Sequence, residues 1–114
     1  MGRDPQDHLP LKPTHYLILL ALADSDLHGY GLKKEIARRT EGKVKVGAGS
    51  LYRSISQLVE DGLIEPSEWR PAPGLDDERR SYFRLTEHGR RTAAAETRRL
   101  EQLITGARAS GIAV

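Results

Sequence analysis

The hydrophobic pattern of this chain changes its period after Gly62, and this change limits the possible folds more than any other feature of the sequence. Before Gly62, residues 14–23 form a nearly all-apolar short helix, which we expect to be buried on most sides, and helical patterns with inward apolar positions cover residues 29–40 and 48–61. After it, the segments LIEPSEWR and SYFRLT alternate as β-strands do and flank a polar turn, a pattern typical of a hairpin. A longer helical pattern follows, from Thr86 to about residue 107.

This order predicts a mainly α-helical fold with a small β-hairpin. Three short helices followed by a hairpin make up a winged helix-turn-helix, in which the second and third helices pack as a pair and the third enters the major groove of DNA. We expect four regions: a flexible N-terminal arm over residues 1–12, the winged helix-turn-helix over 13–86, a C-terminal dimerisation helix over 87–109 and a frayed tail over 110–114.

Individual residues mark the ends of the predicted elements. Pro13 suits the first turn of a helix, and the Thr86 hydroxyl can cap the last helix. His28 is expected at the start of the second helix, whereas Pro66 favours an edge position for the first hairpin strand. Glycine takes the left-handed conformation that ends many helices, which we expect at Gly42 and Gly62.

Two of the helices have a recognisable inner face. In the second helix we expect inward positions for Tyr30, Leu32, Ile36 and Ala37. The third helix is amphipathic, because its apolar residues are spaced at i, i+4, i+7 and i+8. These residues are Leu51, Ile55, Leu58 and Val59.

The composition excludes several classes of protein. The 114 residues contain no cysteine, so neither a disulfide framework nor a thiolate metal site is expected. The longest apolar run, YLILLALA, is far shorter than the roughly 20 residues that cross a bilayer, and the acidic residues before it do not suit a secretory signal. We therefore expect a cytoplasmic, nucleoid-associated protein. The four histidines lack metal-ligand spacing and no nucleophile is paired with a base, so we expect no metal, no cofactor and no enzymatic activity.

The charges of the chain fall into blocks of alternating sign. Residues 28–56 carry a net charge of +5, residues 57–78 of −6 and residues 79–114 of +5, although the whole chain carries only +2. Separated basic blocks are typical of a protein that binds a polyanion such as DNA. The alternative is a set of solvated helix faces with no such partner.

The segment VGAGSLYRSI, residues 46–55, places two glycines before a helix and leaves three interpretations open. A nucleotide-binding loop would need a third glycine where Tyr52 stands, or a Walker lysine, and a parallel sheet around it. The second interpretation is a helix start that requires glycine for close packing. The third, which we favour, is a helix N-terminus whose N–H groups and Ser50 meet a phosphate of the DNA backbone.

The third helix supplies most of the candidate DNA contacts. Ser54 and Gln57 lie on its polar side and could read base edges, whereas Lys43 and Lys45 precede it and are expected to touch phosphates. Tyr52 either reaches DNA with its hydroxyl or packs in the core. The expected contacts on and before this helix are Lys43, Lys45, Gly49, Ser50, Tyr52, Arg53, Ser54 and Gln57.

Two further regions carry candidate contacts. Arg79 and Arg80 lie in the wing, where they either enter the minor groove or belong to a solvated turn beside acidic residues. The last helix has a heptad-like stripe that favours a two-fold dimer over packing on its own domain alone. The stripe comprises Ala93, Thr97, Leu100, Ile104 and Ala107, with Leu103 beside it. Such a dimer would read a palindromic operator with recognition helices about 34 Å apart.

Four short motifs, in order, resemble the PadR family of bacterial transcriptional regulators. They are HGY with a leucine two residues on, starting at His28; GSLY at residues 49–52; the segment from Leu58 to GLI at residues 62–64; and YFRLT with GR, from Tyr82 to Arg90. The resemblance covers about residues 14–92. The chain differs from the family pattern at Gly47, often serine or threonine, and at Arg53, often proline. The serine or threonine would cap the helix, and the arginine adds a cation.

The resemblance implies a dimeric DNA-binding repressor, usually released by a small-molecule ligand. The length of the chain suits the short subfamily, which has a single C-terminal dimerisation helix. The expected partners are therefore double-stranded DNA with a palindromic operator, a second copy of the chain and a small-molecule effector. The alternative function is a winged-helix adaptor that binds another protein and not DNA, suggested by the acidic segment at residues 60–78.

Overall fold

The computed structural model of the protein describes residues 4–68 and 81–112, and these contain four α-helices and a three-stranded sheet. The elements are α1 (Pro13–Asp24), β1 (Leu27–His28), α2 (Gly29–Arg39), α3 (Ala48–Glu60), β2 (Ile64–Ser67), β3 (Tyr82–Leu85) and α4 (Glu87–Ala109). The predicted fold class is confirmed, since a small antiparallel sheet follows three short helices and precedes one long helix.

The predicted helix ends are confirmed by their hydrogen bonds. Pro13 lies in the first turn of α1, where its missing N–H costs nothing. The Gly31 N–H donates to His28 Nδ1 over 2.9 Å at the start of α2, and the Gly89 N–H donates to the Thr86 hydroxyl over 2.9 Å at the start of α4. The glycines that follow α2 and α3 both have φ of +76°, namely Gly42 and Gly62.

The core lies where α1, α2 and α3 meet the sheet. Eight large apolar side chains in it are at most 2% exposed: Ile18, Leu19, Leu32, Ile36, Leu51, Leu58, Leu63 and Ile64. Burial of each such side chain contributes roughly 1.5–3 kcal/mol relative to leaving it in water. The same packing holds α2 and α3 together as a pair and leaves one face of α3 outside.

The sheet has a strand that the sequence does not predict. β1 pairs antiparallel with β3, so the strand order is β1-β3-β2 rather than a two-stranded hairpin. A strand of two residues is too short to show an alternating pattern, and only the tertiary arrangement brings it beside β3. β2 lies at the edge, as Pro66 predicts, and an ion pair of 2.6 Å between Glu65 and Arg84 joins β2 to β3.

The N-terminal segment, predicted as a flexible arm, contains a short helix within its described residues. Residues Pro5–His8 form a 3₁₀-helix that packs against α4, and His8 Nε2 lies 3.0 Å from His88 Nε2. Leu11 is only 8% exposed and belongs to the core. Burial of the apolar Leu11 side chain lowers the free energy of the folded state and attaches this segment to the core.

Tyr30 does not take the inward position predicted for it. Leu32 and Ile36 are fully buried, but Tyr30 is 58% exposed. It lies in the first turn of α2, where its ring stacks on His28 with a centroid separation of 6.3 Å and the Lys34 ammonium lies 5.4 Å from the ring centre. The helical period correctly predicts the inward positions of Leu32 and Ile36. At the start of the helix, the contacts with His28 and Lys34 keep the Tyr30 ring on the surface.

Charged side chains link α1 to α2 on the surface. Arg39 donates to Glu35 over 2.8 Å and to Asp24 over 2.6 Å, and Arg38 donates to Glu35 over 2.6 Å. The hydrogen bonds from Arg38, and then those from Arg39, lower the pKa of Glu35 to about 2. The ionised carboxylate is therefore favoured by the folded state.

We expect the stability contributed by Glu35 to disappear in acid. It is fully present above the ordinary carboxyl pKa of 4.5 and is lost as the pH falls towards 2, because the folded protein binds its proton less readily than the unfolded chain does. Urea unfolding of Glu35→Gln and of the unchanged protein should differ most near pH 7 and converge between pH 4 and 2. Glu101→Gln, on the exposed part of α4, should show no such convergence, and equal convergence in both variants would contradict the assignment.

Candidate nucleic-acid interface

Helix α3 has two faces of opposite character. Leu51, Ile55 and Leu58 are at most 3% exposed and pack into the core. The opposite face carries the side chains predicted to meet DNA. Ser54 is half-buried, and the others are exposed: Gly49, Ser50, Tyr52, Arg53 and Gln57. The structure therefore brings six of the predicted contact residues together on one helix surface.

The first turn of α3 is open to solvent and does not require its glycines. Gly47 is the N-cap with φ of −69°, and it makes no side-chain cap hydrogen bond. A Cβ added at Gly47 would meet nothing within 4 Å, and one at Gly49 would meet only the Arg53 guanidinium, at 3.4 Å. Close packing therefore does not explain these glycines. A nucleotide-binding loop does not fit either, because the strands of the described residues are antiparallel.

Tyr52 combines the two interpretations that the sequence left open. The side chain is 54% exposed, so it is not a core residue. Its phenol nevertheless lies over the backbone of Gly29, where an added Cβ would be 2.5 Å from the Tyr52 hydroxyl oxygen. The glycine of the HGY motif at the start of α2 thus leaves space for the Tyr52 phenol of α3 to pack. This contact orients the Tyr52 ring while leaving part of it accessible to a ligand.

The two lysines before α3 lie on the outer side of the connection between α2 and α3. Val44 is half-buried and Val46 is 7% exposed, so the alternate residues, Lys43 and Lys45, are directed to solvent. The Val44 N–H donates to the Thr40 hydroxyl over 3.0 Å and fixes the start of this connection. Both lysines are therefore free to approach an anion beside the first turn of α3. Arg79 and Arg80 lie outside the described residues.

The first turn of α1 contributes residues that the sequence analysis missed. Lys12, Thr14 and His15 line a cleft together with Ser50, Arg53 and Ser54 of α3. In the sequence, the lysine directly before Pro13 is only a weak signal of a binding site, because it does not indicate which helix lies opposite it. Gln57 also reaches this cleft, and its amide donates to Asp61 over 3.1 Å.

The apolar stripe of α4 is divided between two environments. Ala93 packs against the core, and the Thr97 hydroxyl lies 2.7 Å from the Tyr16 hydroxyl of α1, so these two residues serve the packing of their own domain. Leu100 and Ala107 are half-buried. Leu103 and Ile104 are 58% and 48% exposed.

The comparison with known families decides the class of the protein. The sequence pattern of the transcriptional regulator PadR-like family matches residues 18–95, which is more than half of the chain. The chain belongs to the PadR-like family. This match includes α2 and α3 and begins inside α1, so the helix pair and the sheet described above are those of a PadR-like regulator.

This chain covers very different fractions of the length of its relatives. It is 33% identical over 87 residues to an uncharacterized 37.1 kDa protein in transposon TN4556 of Streptomyces fradiae, and it spans only 23% of that protein's length. A PadR family transcription regulator from Clostridium difficile R20291 has a TM-score of 0.71 at 18% identity, covering 85% of this chain and 96% of the other.

The fold is also similar to that of Bacillus subtilis PadR in complex with operator DNA. Its TM-score is 0.59 at 18% identity, and the alignment covers 74% of this chain and 47% of that one. At these identities the likeness to solved structures shows a shared fold and no more. Within residues 4–68 and 81–112, no helix is long and apolar enough to cross a membrane, and no three histidine or acidic side chains are grouped to hold a metal ion.

Proposed function

We propose that this PadR-like chain is a dimeric, sequence-specific DNA-binding transcriptional regulator that reads its operator with α3. The observation that carries the proposal is the exposed face of α3, where hydroxyls, an amide and the Arg53 guanidinium are displayed beside Lys43 and Lys45. Hydroxyl and guanidinium groups bind phosphate oxygens, and amides read base edges in the major groove. The operator DNA held by the B. subtilis relative supports this choice of partner.

The roles of the individual residues follow from their placement. Lys43, Lys45 and Ser50 approach backbone phosphates near the N-terminus of α3, where the helix dipole also favours an anion. Ser54 and Gln57 lie further along the helix and are suited to base edges, and Gly49 leaves room for a close backbone approach. Tyr52 and Arg53 bind between these two groups. Arg79 and Arg80 of the wing complete the proposed interface.

Repression, release by a small-molecule effector and action at the nucleoid in the cytoplasm are also part of the proposal. These three properties are inferred from the family resemblance alone. The direction of regulation depends on the operator, and the effector depends on which ligand the protein binds. The boundaries proposed for the helix-turn-helix domain, residues 13–86, and for the dimerisation helix, residues 87–109, place the operator-reading face and the dimer contact on different elements.

A binding assay with genomic DNA fragments tests the proposal. We expect affinity to fall steeply as salt rises, because each neutralised phosphate releases condensed counterions and contributes roughly 0.9 to the slope of log K against log salt. Selection of the tightest fragments should yield a two-fold symmetric site. Absence of salt-dependent binding would overturn the proposal and favour the adaptor, which rests on the acidic segment at residues 60–78; Glu60 and Glu68 of this segment are exposed.

The dimer rests on the part of α4 that projects beyond its own domain. Residues 101–106 are all exposed, and Leu103 and Ile104 display apolar surface there that a second copy would cover. We expect Leu103→Asp to convert a dimer to a monomer, as measured by light scattering after size-exclusion chromatography. Thr105→Asp, on the opposite side of the same helix segment, should remain dimeric. A monomeric unchanged protein at micromolar concentration would contradict the prediction.

A further inference from the structure

A polar cleft of about 350 Å³ separates the first turn of α1 from the exposed face of α3. Lys12, Thr14 and His15 line it from one side, and Ser50, Arg53 and Ser54 line it from the other. The cleft therefore joins α3 to a helix whose apolar sequence predicts burial on most sides. Its described lining carries two cationic side chains and three hydroxyls but no carboxylate.

The first turn of α1 supplies free hydrogen-bond donors to this cleft. Lys12 is the N-cap and makes no side-chain cap hydrogen bond, and Pro13 follows it at the first helical position. The backbone N–H groups of Thr14 and His15 have no acceptor among the described residues. Uncapped N–H groups and the positive end of the helix dipole favour an anion at such a helix start.

The His15 side chain is a second and independent indication of a ligand. It is 9% exposed and lines the cleft, yet it makes no hydrogen bond to any described residue. Among the described residues no buried side-chain nitrogen or oxygen lacks a partner, so the unpaired ring nitrogens of His15 open to the cleft, where an external group can reach them. Burial, assisted by Lys12 and opposed by Asp61, lowers the pKa of His15, and the imidazole is neutral at pH 7 with one N–H to donate.

We propose that the α1–α3 cleft binds a phosphate group of the DNA backbone, with Lys12, the N-terminus of α1 and His15 on one side and Arg53 on the other. This inference rests on the proposed function and adds a phosphate contact that α3 alone does not make. A phosphate held from two helices fixes the angle at which α3 enters the groove, since phosphate contacts set the register of a protein on the duplex. Free inorganic phosphate has the same chemistry and is the other source to be tested.

Two substitutions separate binding in the cleft from folding. Lys12→Gln removes one cation, so we expect DNA affinity to fall about tenfold and the salt slope to decrease by about 1. Thr14→Asp places a carboxylate in the cleft and should weaken DNA binding at least tenfold. The same aspartate lies in the first turn of α1, where a negative charge is favourable, so the melting temperature should stay equal or rise. Arg108→Gln, an equal charge loss on the exposed part of α4, is the matched control. It should change neither the DNA affinity nor the melting temperature.

The outcomes distinguish the cleft from the function on which it rests. If the unchanged protein binds DNA and both cleft variants bind equally well, the cleft proposal is overturned and the proposed function stands. If the unchanged protein shows no salt-dependent DNA binding, both are overturned. Inorganic phosphate at constant ionic strength provides the remaining arm. Phosphate could raise the melting temperature of the unchanged protein but not that of Thr14→Asp. If this variant also bound DNA with unchanged affinity, the cleft would be a site for free phosphate and the DNA contact would be overturned.

Discussion

Replacing Gly89 by alanine is expected to destabilise the protein by about 3 kcal/mol, because overpacking against a rigid neighbour forces the backbone apart. A Cβ at Gly89 would overlap the carbonyl oxygen of Leu63 and lie 2.8 Å from Leu85 Cδ1. The Leu63 carbonyl already accepts the Thr86 N–H over 3.1 Å, so it cannot move without breaking that bond. A small domain has only roughly 5–15 kcal/mol of net stability, and thermal unfolding should shift down by roughly 10–20 °C.

Gly106 on the same helix is the matched control for Gly89. A Cβ there would meet nothing within 4 Å, and the residue is exposed. Gly106→Ala should stabilise the protein by roughly 1 kcal/mol through the better helix propensity of alanine. If Gly89→Ala were tolerated as well as Gly106→Ala, the close approach of α4 to Leu63 would not be a requirement of the fold. Circular dichroism melting curves of the two variants decide this.

The double substitution of Tyr52 and Arg53 by alanine is expected to weaken operator binding at least 100-fold. Side chains that contact bases or phosphates each contribute about 1–3 kcal/mol, and a 100-fold loss corresponds to about 2.7 kcal/mol. Both side chains are exposed on α3, so their removal should change the melting temperature by only a few degrees. Fluorescence anisotropy with a labelled operator at fixed salt measures the loss, and the variant should keep the same oligomeric state.

Two further variants test how Tyr52 and Arg53 act. Tyr52→Phe keeps the ring on Gly29 and removes only the hydroxyl, so a small effect would assign the contribution of Tyr52 to its ring. Arg108→Ala serves as the charge control, since it removes one cation from a helix face without predicted DNA contacts. Binding by the double variant at the affinity of the unchanged protein, at matched salt, would show that α3 is not the operator-reading helix.

The sequence predicts the elements of this fold well where a residue acts through its own neighbours along the chain. Helix starts at Pro13, His28 and Thr86 follow from local hydrogen bonding and backbone angles, and the structure confirms all three. The amphipathic period of α3 likewise places Leu51 and Ile55 inside. These signals need only the intrinsic geometry of a helix, which every helix shares.

Features that depend on a partner far along the chain are not predicted. The two residues of β1 form a strand because β3 lies beside them. Leu11 is buried because the chain folds back and places it against the core. The stripe of α4 is regular along its whole length. Nevertheless its first half packs on α1 through Ala93 and Thr97, and only the second half is left for a second copy. Periodicity reports that a face is apolar but not what covers it.

The sequence by itself determined the helix-helix-helix-hairpin-helix order, the polar face of α3 and the resemblance to the PadR family, because these are properties of period, composition and short motifs. Only the tertiary structure decided which glycines are required by close packing. Gly29 seats the Tyr52 phenol and Gly89 lies against the Leu63 carbonyl, whereas Gly47 meets nothing. It also placed the first turn of α1 opposite α3. The physical reason is that space and proximity between distant residues arise only when the helices pack, and no local pattern encodes them.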